Sequence, residues 1–327
     1  MTRLVVAELP EDAGRDLDVE ISILGPDVDI VRYSCDGNER GLISACRDAD
    51  VVLTAYAPLT RSVIEQLHRC RLISVAATGY SCVDIEAAAD AGIGVCAIDE
   101  YCTDEVADHT ILLMLTLCRR LLEYHDQVQT ENRWQFDSIS GIRRLREMTL
   151  GIVGFGKIGQ AVARRAVSLE MTVIACDPYV DMTAAPDLGV RLCSLPELLA
   201  ESDVISLHCS LSAENEQLID KSAFLLMSRQ PLLINCARGG LIDEDALLVA
   251  LDTVQISGAG LDVLTDESPD LKSSRLTGRS NVILTPHVAF YSEASILENR
   301  RVSAGNIRNF LDGEHAKVRK YVHHAEG

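Results

Sequence analysis

The chain has 327 residues, of which 47% are hydrophobic and 24% are charged, a mixture typical of a folded globular protein rather than a disordered one. Its 30 basic residues against 49 acidic residues give a formal net charge of −19, which opposes binding to nucleic acid or to an anionic membrane surface. At about 100–200 residues per domain, the length predicts two domains.

The eleven cysteines include no Cys-x-x-Cys pair, which argues against a disulfide framework or a zinc site and fits a reducing cytoplasm. The N-terminal apolar run, residues 4–7, is too short for a signal peptide. The longest mainly apolar stretch, residues 111–118, is too short to span a bilayer. We therefore expect a soluble cytoplasmic protein without a bound metal.

Short apolar runs alternate with helical patterns through the first third of the chain. The predicted strands are residues 4–7, 19–23, 51–54, 73–76 and 95–98, and the predicted helices include residues 62–68 and 85–91. This alternation indicates a parallel sheet covered by helices. A long leucine-rich helix is predicted at about residues 104–130, and the breadth of its apolar surface suggests burial between domains or against a second subunit.

The strand and helix alternation restarts at residue 149. The predicted strands are residues 150–154, 173–176, 204–207, 232–235, 256–263 and 282–284, followed by a helix at about 292–311 and a polar tail. Six strands is the number in the two halves of a doubly wound parallel sheet. We expect an α/β protein in which one domain comprises residues 1–101 and 290–327, and the other residues 102–289.

A glycine-rich motif follows the strand predicted at residues 150–154. Gly154, Gly156 and Gly159 form G-x-G-x-x-G between this strand and a helical pattern, the context in which the motif binds the pyrophosphate of a dinucleotide. Asp177 closes the next strand, where a carboxylate can accept hydrogen bonds from ribose hydroxyls and repel a 2′-phosphate. The aspartate therefore favours NAD over NADP. The alternative interpretation of the whole pattern is a structural glycine turn followed by a surface aspartate.

Polar side chains follow four further predicted strands, at the sheet edge where ligands of such sheets bind. These residues are His208, Arg238, Asp262 and His287, with Glu267 in the loop after Asp262. Taken singly, Arg238 could be a charge beside a turn, Glu267 a solvated loop residue and His287 a loop histidine. Together they supply a cation for a carboxylate, a proton donor and a carboxylate to orient that donor. These are the groups that hydride transfer to a 2-oxo acid requires.

Four segments, residues 150–159, 235–243, 260–263 and 285–287, together resemble the D-isomer-specific 2-hydroxyacid dehydrogenase family. The resemblance implies a Rossmann NAD-binding domain (102–289) and a flavodoxin-like substrate domain, with interconversion of a 2-oxo acid and its D-2-hydroxy acid in the cleft between them. It gives Arg238 the substrate carboxylate and carbonyl, His287 the acid/base role, Glu267 the role of histidine partner, and Asp262 a contact to the nicotinamide carboxamide.

The resemblance also implies wider sets of binding residues. Residues expected to bind NAD are Thr78, Gly154, Gly156, Lys157, Ile158, Gly159, Asp177, His208, Cys209, Ser210, Asn215, Cys236, Ala237, Arg238, Asp262 and His287. Residues expected to bind the substrate are Ala77, Thr78, Gly79, Arg238, His287 and Phe290. A homodimer is expected, as in the family.

Residues 208–211 and 287–292 are similar to the C-terminal-binding-protein-like branch, which includes transcriptional corepressors. The chain departs from the family at Ser268, which separates Glu267 from Pro269, and Asp266 is a rival carboxylate. Alternative functions are therefore an NAD(H)-sensing interaction protein, or an oxidoreductase of the same fold that acts on a phosphonate-type substrate, since an arginine also binds that oxyanion.

Overall fold

The structure, a computed structural model, describes residues 1–10, 14–180 and 188–324. The chain divides into two compact units, Met1–Tyr101 with Ser292–Gly327, and Cys102–Tyr291. Among the described residues, no helix has both the length and the apolar composition needed to cross a membrane.

The strands are β1 (Thr2–Glu8), β2 (Val28–Ser34), β3 (Val51–Thr54), β4 (Leu72–Val75), β5 (Gly94–Cys96), β6 (Thr149–Val153), β7 (Thr172–Cys176), β8 (Arg191–Leu192), β9 (Val204–Leu207), β10 (Leu232–Asn235), β11 (Gly258–Leu261), β12 (Val282–Leu284) and β13 (Tyr321–His323). The helices are α1 (Asp18–Leu24), α2 (Glu39–Cys46), α3 (Arg61–Ile64), α4 (Ile85–Asp90), α5 (Thr103–Cys118), α6 (Leu121–Gln129), α7 (Lys157–Ser168), α8 (Leu195–Glu201), α9 (Lys221–Leu226), α10 (Glu244–Asp252) and α11 (Glu293–Leu311).

The first unit contains a sheet with the strand order β13-β5-β4-β3-β1-β2. Strands β1 to β5 are parallel, in the order 2-1-3-4-5 of flavodoxin-like folds, and β13 pairs antiparallel with β5. Alternate residues of β1 enter cores on opposite faces of this sheet. Val5 and Ala7 pack on the α2–α4 side, whereas Leu4 and Val6 pack with Ile307 of α11.

The second unit contains a parallel sheet with the order β12-β11-β10-β9-β6-β7-β8. Counted along the unit, this is the 3-2-1-4-5-6 order of dinucleotide-binding folds with one strand added at the end. Its core includes Val153, Ile205, Leu233 and Ala259 from four neighbouring strands. The predicted fold class, two α/β domains with doubly wound parallel sheets, is confirmed.

The strand predicted at residues 19–23 is wrong, because this segment forms helix α1. The helix places Glu20 and Leu24, four residues apart, on its buried face. The Glu20 carboxylate lies 2.7 Å from nitrogen atoms of both Arg15 and Arg300. Its contact with Arg300 of α11 spans 280 residues, so a tertiary ion pair overrides the local alternation of apolar residues.

Other boundaries also differ from the sequence prediction. The helix expected at residues 104–130 is two helices, α5 and α6, because Arg120 between them has a φ of 52° and ends the helical path. Strand β2 and the short strands β8 and β13 were not predicted. The second sheet therefore has seven strands instead of six among the described residues.

Candidate active site

The glycine loop lies between β6 and α7 and has the shape a dinucleotide needs. Gly154 has a φ of 92°, which favours glycine, and a Cβ there would lie 2.5 Å from the Cys209 nitrogen. A Cβ on Gly159 would lie 2.2 Å from the Gly154 carbonyl oxygen. A Cβ on Gly156 would meet nothing within 4 Å, so space remains beside the backbone. Lys157 and Ile158 follow as the first residues of α7, which has no side-chain cap. These features fit a pyrophosphate at a helix N-terminus.

Asp177 lies directly after β7 and its carboxylate is fixed by the backbone. One oxygen accepts a 2.7 Å hydrogen bond from the Phe155 N–H of the glycine loop, and the other a 2.8 Å hydrogen bond from the Tyr179 N–H. The structure thus brings this carboxylate to the glycine loop, as a residue that binds ribose hydroxyls requires.

The segment after β9 contains four predicted cofactor residues. The His208 ring nitrogen Nε2 lies 2.8 Å from the buried Ser206 hydroxyl. Burial lowers the pKa of His208 from 6.5 to about 4, because a protein interior disfavours the charged ring. Asn215 closes the loop by accepting from the Ser212 N–H and donating to the Ser210 carbonyl, each at 2.7 Å.

The two predicted cysteines of the cofactor set are neutral thiols at neutral pH. Burial raises the pKa of Cys209 to about 11 and that of Cys236 to about 12. Neither therefore adds a negative charge to the surface where an anionic cofactor would lie.

Arg238 follows β10 and is positioned by the buried Asn235. The Asn235 side chain donates to the Arg238 carbonyl at 2.9 Å and accepts from the Ala237 N–H at 3.0 Å. The guanidinium Nη1 donates to the Ala237 carbonyl at 2.6 Å. Within the described residues, no carboxylate pairs with Arg238. Its charge is thus available for an anionic ligand.

His287 and Glu267 form a direct pair. The ring nitrogen Nδ1 lies 2.9 Å from Oε2 of Glu267, and the histidine side chain is 30% exposed. The rival carboxylate, Asp266, accepts a 2.9 Å hydrogen bond from the Ser268 N–H. Across the described part of the chain, Nε2 of His287 has no hydrogen-bond partner. The ring can therefore exchange a proton at Nε2 while Glu267 holds Nδ1.

Asp262 holds the loop that carries His287. Its side chain is 1% exposed and accepts from the Thr285 hydroxyl at 2.5 Å and from the Val288 and Ala289 N–H groups at 2.9 Å. Its backbone carbonyl accepts from the His287 N–H at 2.7 Å. His287 has a φ of 50°, a conformation that costs energy for a non-glycine residue and persists only where its surroundings enforce it.

His109 of α5 is not among the residues that the sequence analysis singles out. Its Nε2 lies 3.0 Å from the Thr285 hydroxyl and 3.6 Å from an Asp262 carboxylate oxygen. His109 and Thr285 are 176 residues apart. No local pattern signals such a contact.

Phe290 lies beside the catalytic candidates. Its ring meets the His287 ring edge to face, with centroids 6.0 Å apart. An aromatic edge limits the positions that the imidazole can adopt.

Ala77, Thr78 and Gly79, predicted to bind substrate, lie in the first unit and are half-buried. They follow β4 at the carboxyl edge of its sheet. The carbonyls of Ala77 and Thr78 accept hydrogen bonds from the Ile98 N–H at 3.0 Å and from Lys320 Nζ at 2.6 Å.

The chain matches a family model and curated proteins over most of its length. The model of the D-isomer specific 2-hydroxyacid dehydrogenase NAD binding domain matches residues 111–289. The chain is 35% identical over 282 residues to the hydroxypyruvate reductase of Blautia hydrogenotrophica, which covers 85% of this chain and 87% of that protein. It is 35% identical over 278 residues to the D-3-phosphoglycerate dehydrogenase of Methanocaldococcus jannaschii, covering 84% of this chain but only 52% of that protein.

Solved structures show the same architecture. The D-lactate dehydrogenase of Aquifex aeolicus, complexed with NAD and lactic acid, aligns with a TM-score of 0.87 and 30% sequence identity. The alignment covers 98% of each chain.

Proposed function

The chain belongs to the D-isomer specific 2-hydroxyacid dehydrogenases and is an NAD-dependent oxidoreductase; from this premise we propose that it interconverts a small 2-oxo acid and its D-2-hydroxy acid. The observation that carries the proposal is the 2.9 Å contact between His287 Nδ1 and the Glu267 carboxylate. It leaves Nε2 as the proton donor to the carbonyl oxygen during reduction, and as the acceptor during oxidation.

The chain's own residues would hold the cofactor at the glycine loop. Gly154, Gly156 and Gly159 admit the pyrophosphate, and Asp177 accepts hydrogen bonds from the ribose. The other members of the set inferred from the family are Thr78, Lys157, Ile158, His208, Cys209, Ser210, Asn215, Cys236, Ala237, Arg238, Asp262 and His287. When bound, NADH supplies the hydride that a carbonyl carbon accepts.

Arg238 binds and polarises the substrate in this proposal. A planar guanidinium can hold a carboxylate with one edge while another N–H polarises the carbonyl oxygen, and Asn235 fixes the backbone from which it extends. The N–H groups of Ala77, Thr78 and Gly79 are further carboxylate donors. Phe290 contributes an apolar surface.

The names of the relatives support a small substrate. Hydroxypyruvate and lactate, named for two of them, share a carboxylate beside a carbonyl or hydroxyl carbon. We infer that this chain acts on the same class. Membership of the C-terminal-binding-protein-like branch stays a prediction, supported by residues 208–211 and 287–292.

The decisive experiment measures NADH oxidation by the purified protein with a panel of 2-oxo acids, and the chirality of each product. We expect turnover of at least one small 2-oxo acid to the D product. Arg238→Lys keeps the charge but loses the planar fork, and we expect it to lower kcat/KM about 10²-fold with little change in NADH affinity. No turnover with any 2-oxo acid, while NADH still binds, would instead favour the NAD(H)-sensing function.

We also propose a homodimer formed by the second unit. Leu121 and Leu122 at the start of α6 are 55% and 49% exposed, and Trp134 and Phe136 are 90% and 88% exposed. Such aromatic side chains commonly mark a protein interface. Light scattering coupled to size exclusion tests this, and a monomer contradicts it.

The eleven cysteines are free thiols, which supports the expected location in the reducing cytoplasm.

A further inference from the structure

Residues 76–79 form a loop whose backbone carbonyls are held by three different segments of the first unit. The Ala76 carbonyl accepts from the Asn299 side chain of α11 at 2.8 Å, and the Ala77 carbonyl from the Ile98 N–H at 3.0 Å. The Thr78 carbonyl accepts from Lys320 Nζ at 2.6 Å. We call residues 76–79 the substrate loop.

These three contacts determine where the neighbouring N–H groups point. In a trans peptide the C=O and N–H bonds are antiparallel, and the described residues contain no cis peptide bond. Each anchored carbonyl therefore turns the N–H of Ala77, Thr78 or Gly79 away from its anchor. Within the described ranges, none of these N–H groups donates to a protein acceptor. A backbone N–H without a protein acceptor is a donor that an anionic ligand can use.

Lys320 differs from the other two anchors because it is charged. A hydrogen bond from an ammonium group is stronger than one from a neutral donor. It also polarises the peptide that accepts it, so that the N–H at the other end of that peptide becomes a better donor. That N–H belongs to Gly79.

The backbone of Lys320 is itself held in place. Its carbonyl accepts from the Ala97 N–H at 3.0 Å, next to the pairing of β13 with β5. The preceding Arg319 N–H donates to the buried Asn306 side chain at 2.8 Å. The ammonium also lies 5.4 Å from the centre of the Tyr80 ring, within the range of a cation–π contact.

We propose that Lys320 is a positioning residue for the substrate, which holds and polarises the Thr78–Gly79 peptide so that the Gly79 N–H binds the substrate carboxylate. The inference rests on the proposed function. It assigns a role to a residue near the C-terminal end of the chain, 242 residues from the loop it contacts.

The test compares Lys320→Met, Lys320→Arg and Lys317→Met in the full chain. Lys317 is the matched control, an exposed lysine of the same segment that pairs with Glu314 at 2.8 Å. For the 2-oxo acid with the best turnover, we expect Lys320→Met to raise KM about tenfold with a smaller change in kcat. The inhibition constant of oxamate, a non-reducible analogue, should rise by a similar factor. The dissociation constant of NADH and the circular dichroism spectrum should not change.

Lys320→Arg should restore most of the substrate affinity, because it keeps a charged donor, and Lys317→Met should behave as wild type. An unchanged KM in Lys320→Met, or an equal rise in Lys317→Met, overturns the role of Lys320 while leaving the proposed function intact. Absence of both turnover and oxamate binding in the wild-type protein overturns the proposed function, and this inference with it.

Discussion

Two buried aspartates lie at opposite edges of the seven-stranded sheet and are stabilised in different ways. Asp203 precedes β9 at the amino edge, and its side chain is 2% exposed. It lies 2.5 Å from Arg143 and 3.5 Å from Arg229, and accepts a 2.8 Å hydrogen bond from the Thr149 N–H. Asp262 follows β11 at the carboxyl edge, where a hydroxyl and two backbone N–H groups donate to its carboxylate and His109 lies at 3.6 Å.

The difference separates stability from function. At the amino edge, arginine charges neutralise the aspartate, and the result is a closed ion pair. At the carboxyl edge, neutral dipoles hold the aspartate and order the loop of His287. Arg238 follows β10, the strand that pairs with β11. Its guanidinium has no carboxylate partner among the described residues, which keeps the charge available to a substrate.

The largest predicted effect is the loss of kcat/KM in Asp262→Asn. In Asp262→Asn an NH2 group replaces one acceptor oxygen and faces an N–H or hydroxyl donor, so the His287 loop loses its fixed geometry. We expect kcat/KM to fall about 10²- to 10³-fold, or about 3–4 kcal/mol.

The matched variant Asp203→Asn should lower the free energy of unfolding by about 1–3 kcal/mol and leave kcat/KM within a few-fold of wild type. Denaturant unfolding and steady-state kinetics measure both quantities. If Asp203→Asn reduces kcat/KM as much as Asp262→Asn under conditions where it is folded, the two edges do not differ in function.

The comparison also shows what the sequence could predict. Strand ends that carry Arg238 and His287, and the glycine loop between β6 and α7, were recognisable because the signals lie within a few residues of one another. The roles of His109, Lys320 and Glu20 depend on contacts that span 176, 242 and 280 residues. No periodicity or motif records such contacts, so only the folded structure brings these residues together.

A smaller effect should appear at the two ends of β9, where Asp203 lies at one end and His208 at the other. Burial lowers the pKa of His208 to about 4 from 6.5, so the unfolded chain binds a proton at a pH where the folded protein does not. At pH 8 the ring is neutral in both the folded and the unfolded chain, so its ionisation does not change the free energy of unfolding. As the pH falls from 6.5 towards 4, protonation of the unfolded chain lowers that free energy progressively.

At pH 5 this linkage amounts to about 2 kcal/mol. Relative to its own value at pH 8, the free energy of unfolding of His208→Gln should fall about 2 kcal/mol less than that of wild type. Urea titrations of the protein without cofactor at both pH values measure the difference. Parallel losses in the two proteins would show that burial does not keep His208 neutral.

The smallest effect tests which carboxylate of the loop after β11 serves His287. Oε2 of Glu267 lies 2.9 Å from Nδ1 of His287 and orients the ring, and solvent screens the pair because Glu267 is 52% exposed. Glu267→Gln keeps the shape of the side chain and removes its charge, so the ring loses a charge-assisted hydrogen bond that fixes the direction of Nε2. We expect kcat/KM to fall about three- to tenfold with an unchanged dissociation constant for NADH. Asp266→Asn should leave kcat/KM unchanged, because the Asp266 carboxylate accepts from the Ser268 N–H instead. A loss of kcat/KM in the Asp266 variant with none in the Glu267 variant would place the functional carboxylate one position earlier in the chain.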